Sequence, residues 1–112
     1  MEKKTITLDL TDCKYLDELH ERIKIAFDFP DWYGKNWSAF WDLLWSECTA
    51  DKVVIKGEKE LNNELKVVLP TFHKILDRNI KFRKENGLNA FSYEIVWMIF
   101  LSQKSPNYST KE

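Results

Sequence analysis

Three short runs of branched and apolar residues, each too far from the next for a hairpin, constrain what this chain can fold into. Thr5 to Leu10 alternates apolar and polar residues, Lys52 to Lys56 reads KVVIK, and Phe91 to Leu101 contains the unbroken apolar stretch IVWMIFL. Each has the length and branching of a strand. The intervening segments carry helical periodicity, and strands joined through helical crossovers pair in parallel with right-handed connections. The expected fold class is therefore α/β, with a three-stranded parallel sheet packed with about four helices.

Local signals place those helices. Thr11 or Asp12 can cap a first helix, in which Leu16, Leu19, Ile23 and Phe27 share a face. It should end before Pro30, because a residue preceding proline resists the helical region. Gly34 then permits a turn, and Asn36 can cap a helix over 37–48. Gly57 ends the second strand, and a third helical region covers about residues 58–68. Pro70 either kinks that helix or opens a new one as its first-turn proline. Leu69, Phe72, Ile75, Leu76 and Ile80 give the last helix an apolar face, and Gly87 is a suitable stop. At 112 residues the chain suits a single domain over 1–102, with 103–112 as a flexible tail.

Several function classes lose support at this level. No stretch approaches the roughly 18 apolar residues of a membrane span, and MEKKTITLDL offers neither an apolar signal region nor a cleavage site. Cys13 and Cys48 lack metal or redox spacing and read as free thiols, so a cytoplasmic location is expected. His20 and His73 sit singly inside helical segments and read as structural or solvated. Asp9 and Asp12 are better explained by a loop and a cap than by a metal. No glycine-rich phosphate loop or serine elbow is present. The chain is expected to be no enzyme and to need no cofactor.

The segment Phe29 to Leu44, FPDWYGKNWSAFWDLL, places aromatics and a glycine turn ahead of an amphipathic helix. At 100° per residue, Trp37, Phe40, Trp41, Leu44 and Cys48 share an arc that Leu43 widens. Ser38, Asp42 and Ser46 occupy the opposite arc. Trp41 and Trp45 lie at the border, flanking Asp42, where an indole can bury one edge and show the other to a partner. Trp37 reads as core and Trp45 as exposed, while Glu47 falls on the apolar side near the helix end. Dense Trp and Tyr around a few fixed polar groups are the composition of a protein-binding hot spot.

Charge divides the chain. Residues 9–51 carry ten acids against four bases, whereas residues 52–112 carry seven acids against eleven bases. The half with the aromatic motif is acidic, which fits a basic partner and opposes nucleic acid at that surface. The cluster Lys74, Arg78, Lys81, Arg83 and Lys84 lies toward a helix C-terminus, where the macrodipole favours cations. The other reading of that cluster is an RNA-contacting patch.

Residues Pro30 to Leu44, PDWYGKNWSAFWDLL, resemble the signature of the barstar family of ribonuclease inhibitors. That signature runs proline, acid, two aromatics, glycine, any residue, asparagine, apolar, aspartate, alanine, apolar, tryptophan, aspartate and two apolars. The order of elements over about residues 3–101 is similar as well. The resemblance implies that this loop and helix enter the active-site cleft of a ribonuclease, with Asp42 standing in for a substrate phosphate. By motif position Trp32, Gly34, Asn36, Trp41 and Asp42 match contacting residues. Ser38 stands where the family has an aspartate, and Glu47 stands where it has a further tryptophan, for which Trp45 can substitute. The family's later helix adds an interface acid, whereas here that helix is basic, with Phe82 near the matching place.

The leading expectation is an immunity protein, or antitoxin, that binds a cognate nuclease toxin one to one and covers its active site. The expected contact set is Trp32, Tyr33, Gly34, Asn36, Ser38, Trp41, Asp42, Trp45 and Ser46. The alternatives are an RNA-binding module using the basic helix 74–84, and a barstar-fold domain that binds a protein other than a nuclease.

Overall fold

A computed structural model describes residues 4–96 of the chain. Strand β1 (Thr5–Asp9) leads into α1 (Leu16–Phe27) and α2 (Trp37–Glu47), then β2 (Lys52–Lys56). A 3-10 turn at Glu58–Glu60 and a single-turn helix α3 (Asn63–Lys66) precede the long α4 (Leu69–Glu85) and β3 (Ser92–Val96). The strands lie in the order β1-β2-β3, all parallel, as the crossovers require. The architecture is thus the expected α/β one, with three helices of substantial length and one short one among the described residues. The expected strand over residues 97–101 and the expected tail over 103–112 lie outside the described residues.

Register explains the core. Ile6 and Leu8 pair with Val53 and Ile55, which pair in turn with Tyr93 and Ile95. These rows face Leu19, Ile23, Phe40, Leu44, Phe72 and Leu76, all fully excluded from water. Each such side chain contributes about 1.5–3 kcal/mol through burial. Alternate residues Thr5, Thr7, Lys52, Ser92 and Glu94 stay exposed, with Lys52 Nζ 2.9 Å from Glu94 on that outer face. No helix among the described residues is long and apolar enough to cross a membrane.

Three local expectations are corrected. Neither Thr11 nor Asp12 caps α1: Asp12 takes a left-handed conformation (φ 65°), and the Thr11 amide donates to Asp9 Oδ1 at 2.9 Å. The helix begins four residues later, where Glu18 in its first turn reaches back to accept from the Lys14 amide at 2.9 Å. Leu16 consequently lies outside the apolar face and is 44 % exposed. The helix expected over 58–68 breaks at Leu61, where extended backbone separates the 3-10 turn from α3 with its Asn62 cap. Of the two readings of Pro70 the structure takes the second: it opens α4 in its first turn.

Gly57 does more than end β2. With φ 85° it lets the chain pass so close to β1 that a Cβ would lie 2.6 Å from the Thr11 amide nitrogen. Gly87 (φ 70°) closes α4, with the Leu88 amide donating to the Arg83 carbonyl at 2.8 Å.

Candidate interaction site

The loop between α1 and α2 is fastened at both ends and at its middle. Asp28 ends α1 in the left-handed region (φ 58°), and the Phe29 amide donates to the Lys24 carbonyl at 2.9 Å. Phe29 packs its ring on Phe27, Tyr33 and Phe40. Lys24 Nζ lies 3.3 Å from Asp31, and Lys35 Nζ lies 3.0 Å from Glu21. Gly34 is not the left-handed residue of this turn; Lys35 is, at φ 54°. A Cβ on Gly34 would meet Asn36 Nδ2 at 3.2 Å, so the glycine makes room for the cap.

Asn36 starts α2. Its Oδ1 accepts from the Ala39 amide at 2.8 Å, and its Nδ2 donates to the Gly34 carbonyl at 3.2 Å. From there Phe40, Leu43 and Leu44 turn inward, and Ser38, Asp42, Trp45, Ser46 and Glu47 remain exposed. Ser46 spends its hydroxyl on the Asp42 carbonyl at 2.7 Å. Trp37 is half-buried, with its ring 4.5 Å from His20 and 6.0 Å from Phe72. Among the described residues the Asp42 carboxylate makes no ion pair or hydrogen bond. It is exposed at the middle of the capped helix α2.

Of the other expected contact residues, Trp32 is 73 % exposed at the crest of the loop, and Gly34 and Asn36 are also on the surface. Tyr33 is not: its ring is buried, and its hydroxyl lies 2.7 Å from His20 Nδ1. Burial pushes the Tyr33 phenol up and the His20 imidazole down, so both stay neutral beneath the loop. Tyr33 therefore anchors the surface that Trp32 shows.

His20 also makes stability depend on pH. Its folded value is held below the ordinary 6.5, mainly by burial, with Asp17 opposing and Lys35 assisting. Protonation accordingly favours the unfolded chain. The contribution is intact above about pH 6.5 and is lost as pH falls from there through the depressed folded value. The denaturation midpoint should drop between about pH 7.5 and pH 5, a range above ordinary carboxylate titration. His20→Gln should flatten that drop; an unchanged pH dependence in the variant would refute the assignment.

The tryptophans beside Asp42 have a partner that sequence reasoning placed but did not connect. Phe82 of α4 lies edge-on to both, 6.1 Å from Trp41 and 5.6 Å from Trp45. The three rings form one apolar shelf across α2 and α4, with Trp41 half-buried and Trp45 44 % exposed. Beside it, Trp37, Ser38, Trp41, Asp42, Ile75 and Arg78 line an open groove of about 550 Å³.

Arg83 is a correction to the basic cluster. It points inward, is 8 % exposed, and Nη2 donates to the carbonyls of Leu44, Trp45 and Cys48 at 2.9, 3.2 and 3.1 Å. It thus neutralises the C-terminal end of α2, whose last turn has no base of its own. Lys74, Arg78, Lys81 and Lys84 stay exposed. His73, expected to be structural or solvated, is partly buried, with Nε2 2.7 Å from Glu58, a carboxylate that the sequence offered no reason to place inside. Cys13 and Cys48 are free and buried, and burial raises both thiols. No cluster of three or more potential metal ligands occurs among the described residues.

The described residues thus form a parallel three-stranded α/β domain that presents a capped helix, with an aspartate unpaired among them, beside an aromatic shelf. The chain belongs to the family Barstar (barnase inhibitor), whose pattern matches residues 3–93. It is also similar to a protein of Bacillus subtilis (strain 168) named "Putative ribonuclease inhibitor YrdF", with 42% identity over 41 residues. That match spans 37% of this chain and 45% of the relative, less than half its length.

Proposed function

We propose that this protein is a ribonuclease inhibitor of the immunity type, blocking a toxin by filling its active-site cleft in a one-to-one complex. The observation that carries this reading is Asp42: an exposed carboxylate on a capped helix, without a cation of its own among the described residues. A cleft that binds RNA phosphate holds its cations ready for an anion. A helix-borne carboxylate satisfies them and offers no bond to cleave. Trp45 and the Trp41–Phe82 shelf supply apolar area beside the anion, and Trp32 extends the contact from the loop. The fastened loop lowers the ordering cost of docking.

The reading is tested by capture. Immobilised protein exposed to extracts and secretions of its own cells should retain a latent ribonuclease, active once released, at one copy per inhibitor. Retention of only non-nuclease proteins would leave the fold and remove the function. An RNA-binding role is disfavoured by Arg83 and Phe82, since the guanidinium is spent on α2 and the ring on two tryptophans.

A further inference from the structure

The groove beside Asp42 has two walls of opposite sign. Asp42 stands on the α2 wall and Arg78 on the α4 wall, and the described residues show no ion pair between them. Lys74 and Lys81, four residues before and three after Arg78, continue the positive wall along the exposed face of α4. The nearby α4 carboxylate, Asp77, accepts from the Tyr93 hydroxyl at 2.7 Å and is directed to the sheet side. A partner that covers Asp42 must therefore also cover a guanidinium only one groove away.

We propose that Arg78 is a specificity determinant, which fits a nuclease carrying an acidic side chain at the cleft rim opposite α4 and rejects one whose rim is basic there. This inference rests on the ribonuclease-blocking reading. A phosphodiester-cleaving cleft has cations for the phosphate, and those are met by Asp42. Arg78 has the same sign as those cations. Docking desolvates it, and a buried cation without a counter-charge is strongly disfavoured. A rim carboxylate removes that penalty and adds a charge-assisted hydrogen bond. Like charges across an interface suppress the wrong partner, so the α4 wall acts as a filter while Asp42 serves the shared chemistry.

Barnase, the enzyme named in the family's description, is the probe, because a cleft that binds polyanionic RNA is expected to be cationic at its rim as well as at the scissile phosphate. Affinity would be measured for the wild type, Arg78→Gln and Arg78→Glu. The filter predicts tightening in that order, by about tenfold or more from wild type to Arg78→Glu, shrinking in about 0.5 M NaCl. Unchanged, weaker or undetectable binding by Arg78→Glu overturns it. The acidic-rim half is tested by changing barnase's surface lysines and arginines singly to glutamate. At least one such change should tighten the wild type about tenfold without tightening Arg78→Glu; a scan with no such change overturns that half. The function reading fails separately: if Asp42→Ala in the Arg78→Glu background keeps full affinity, the anion mimic is wrong and the filter stands.

Discussion

Asp42→Ala should weaken ribonuclease binding by roughly 100-fold or more, with Ser38→Ala costing less than about tenfold. Both residues sit on the exposed arc of α2, one turn apart, so they share solvent exposure and distance from the core. They differ in charge. Truncating one member of a desolvated charge pair costs about 2–5 kcal/mol, much of it from the partner cation left unpaired; the barnase–barstar pair is itself the reference system for such energies. A serine hydroxyl at a rim is worth far less. Neither change touches the Asn36 cap or the buried Phe40, Leu43 and Leu44, so circular dichroism and denaturation midpoints should match the wild type. Titrating enzyme activity with each variant separates the cases, and equal small losses would sink the anion-mimic role.

How much of this was legible in the sequence depends on the range of the interaction. The α2 segment was read closely because its determinants are local: Asn36 caps it three residues upstream of Ala39, and its apolar arc repeats at the helical period. The exposure of Trp45 and the burial of Phe40 and Leu44 followed from the same geometry, whereas Glu47, on the apolar side of the wheel, is exposed because it lies at the helix end. The start of α1 was misplaced because Asp12 and Thr11 are cap-type residues engaged in a turn that Asp9 closes. Tyr33 looked like a contact residue because an aromatic with a hydroxyl suits both an interface and a core. Its position depends on His20, thirteen residues away on α1. Phe82 and Arg78 belong to the site only because α4 packs beside α2, a pairing that no local pattern encodes.

Arg83 is the extreme case, and its replacement should damage the fold strongly. Arg83→Met should destabilise the protein by about 3–5 kcal/mol, measured as a loss of unfolding free energy in urea. The long apolar side chain keeps most of the volume but leaves the carbonyls of Leu44 and Cys48 without that donor, with Asn79 Oδ1 and the Asn89 carbonyl losing theirs too. Each buried acceptor so orphaned costs about 1–3 kcal/mol, and water reaching the α2 end recovers part of it. Arg83→Lys should not rescue. A lysine ammonium keeps the charge, but one point donor cannot span carbonyls from α2 and the Asn89 loop, whereas the guanidinium does so as a planar fork. The contact also couples the fold to the site, because those carbonyls close the helix that carries Asp42. Stability of Arg83→Met or Arg83→Lys within about 1 kcal/mol of wild type would mean that the end of α2 is held by packing alone.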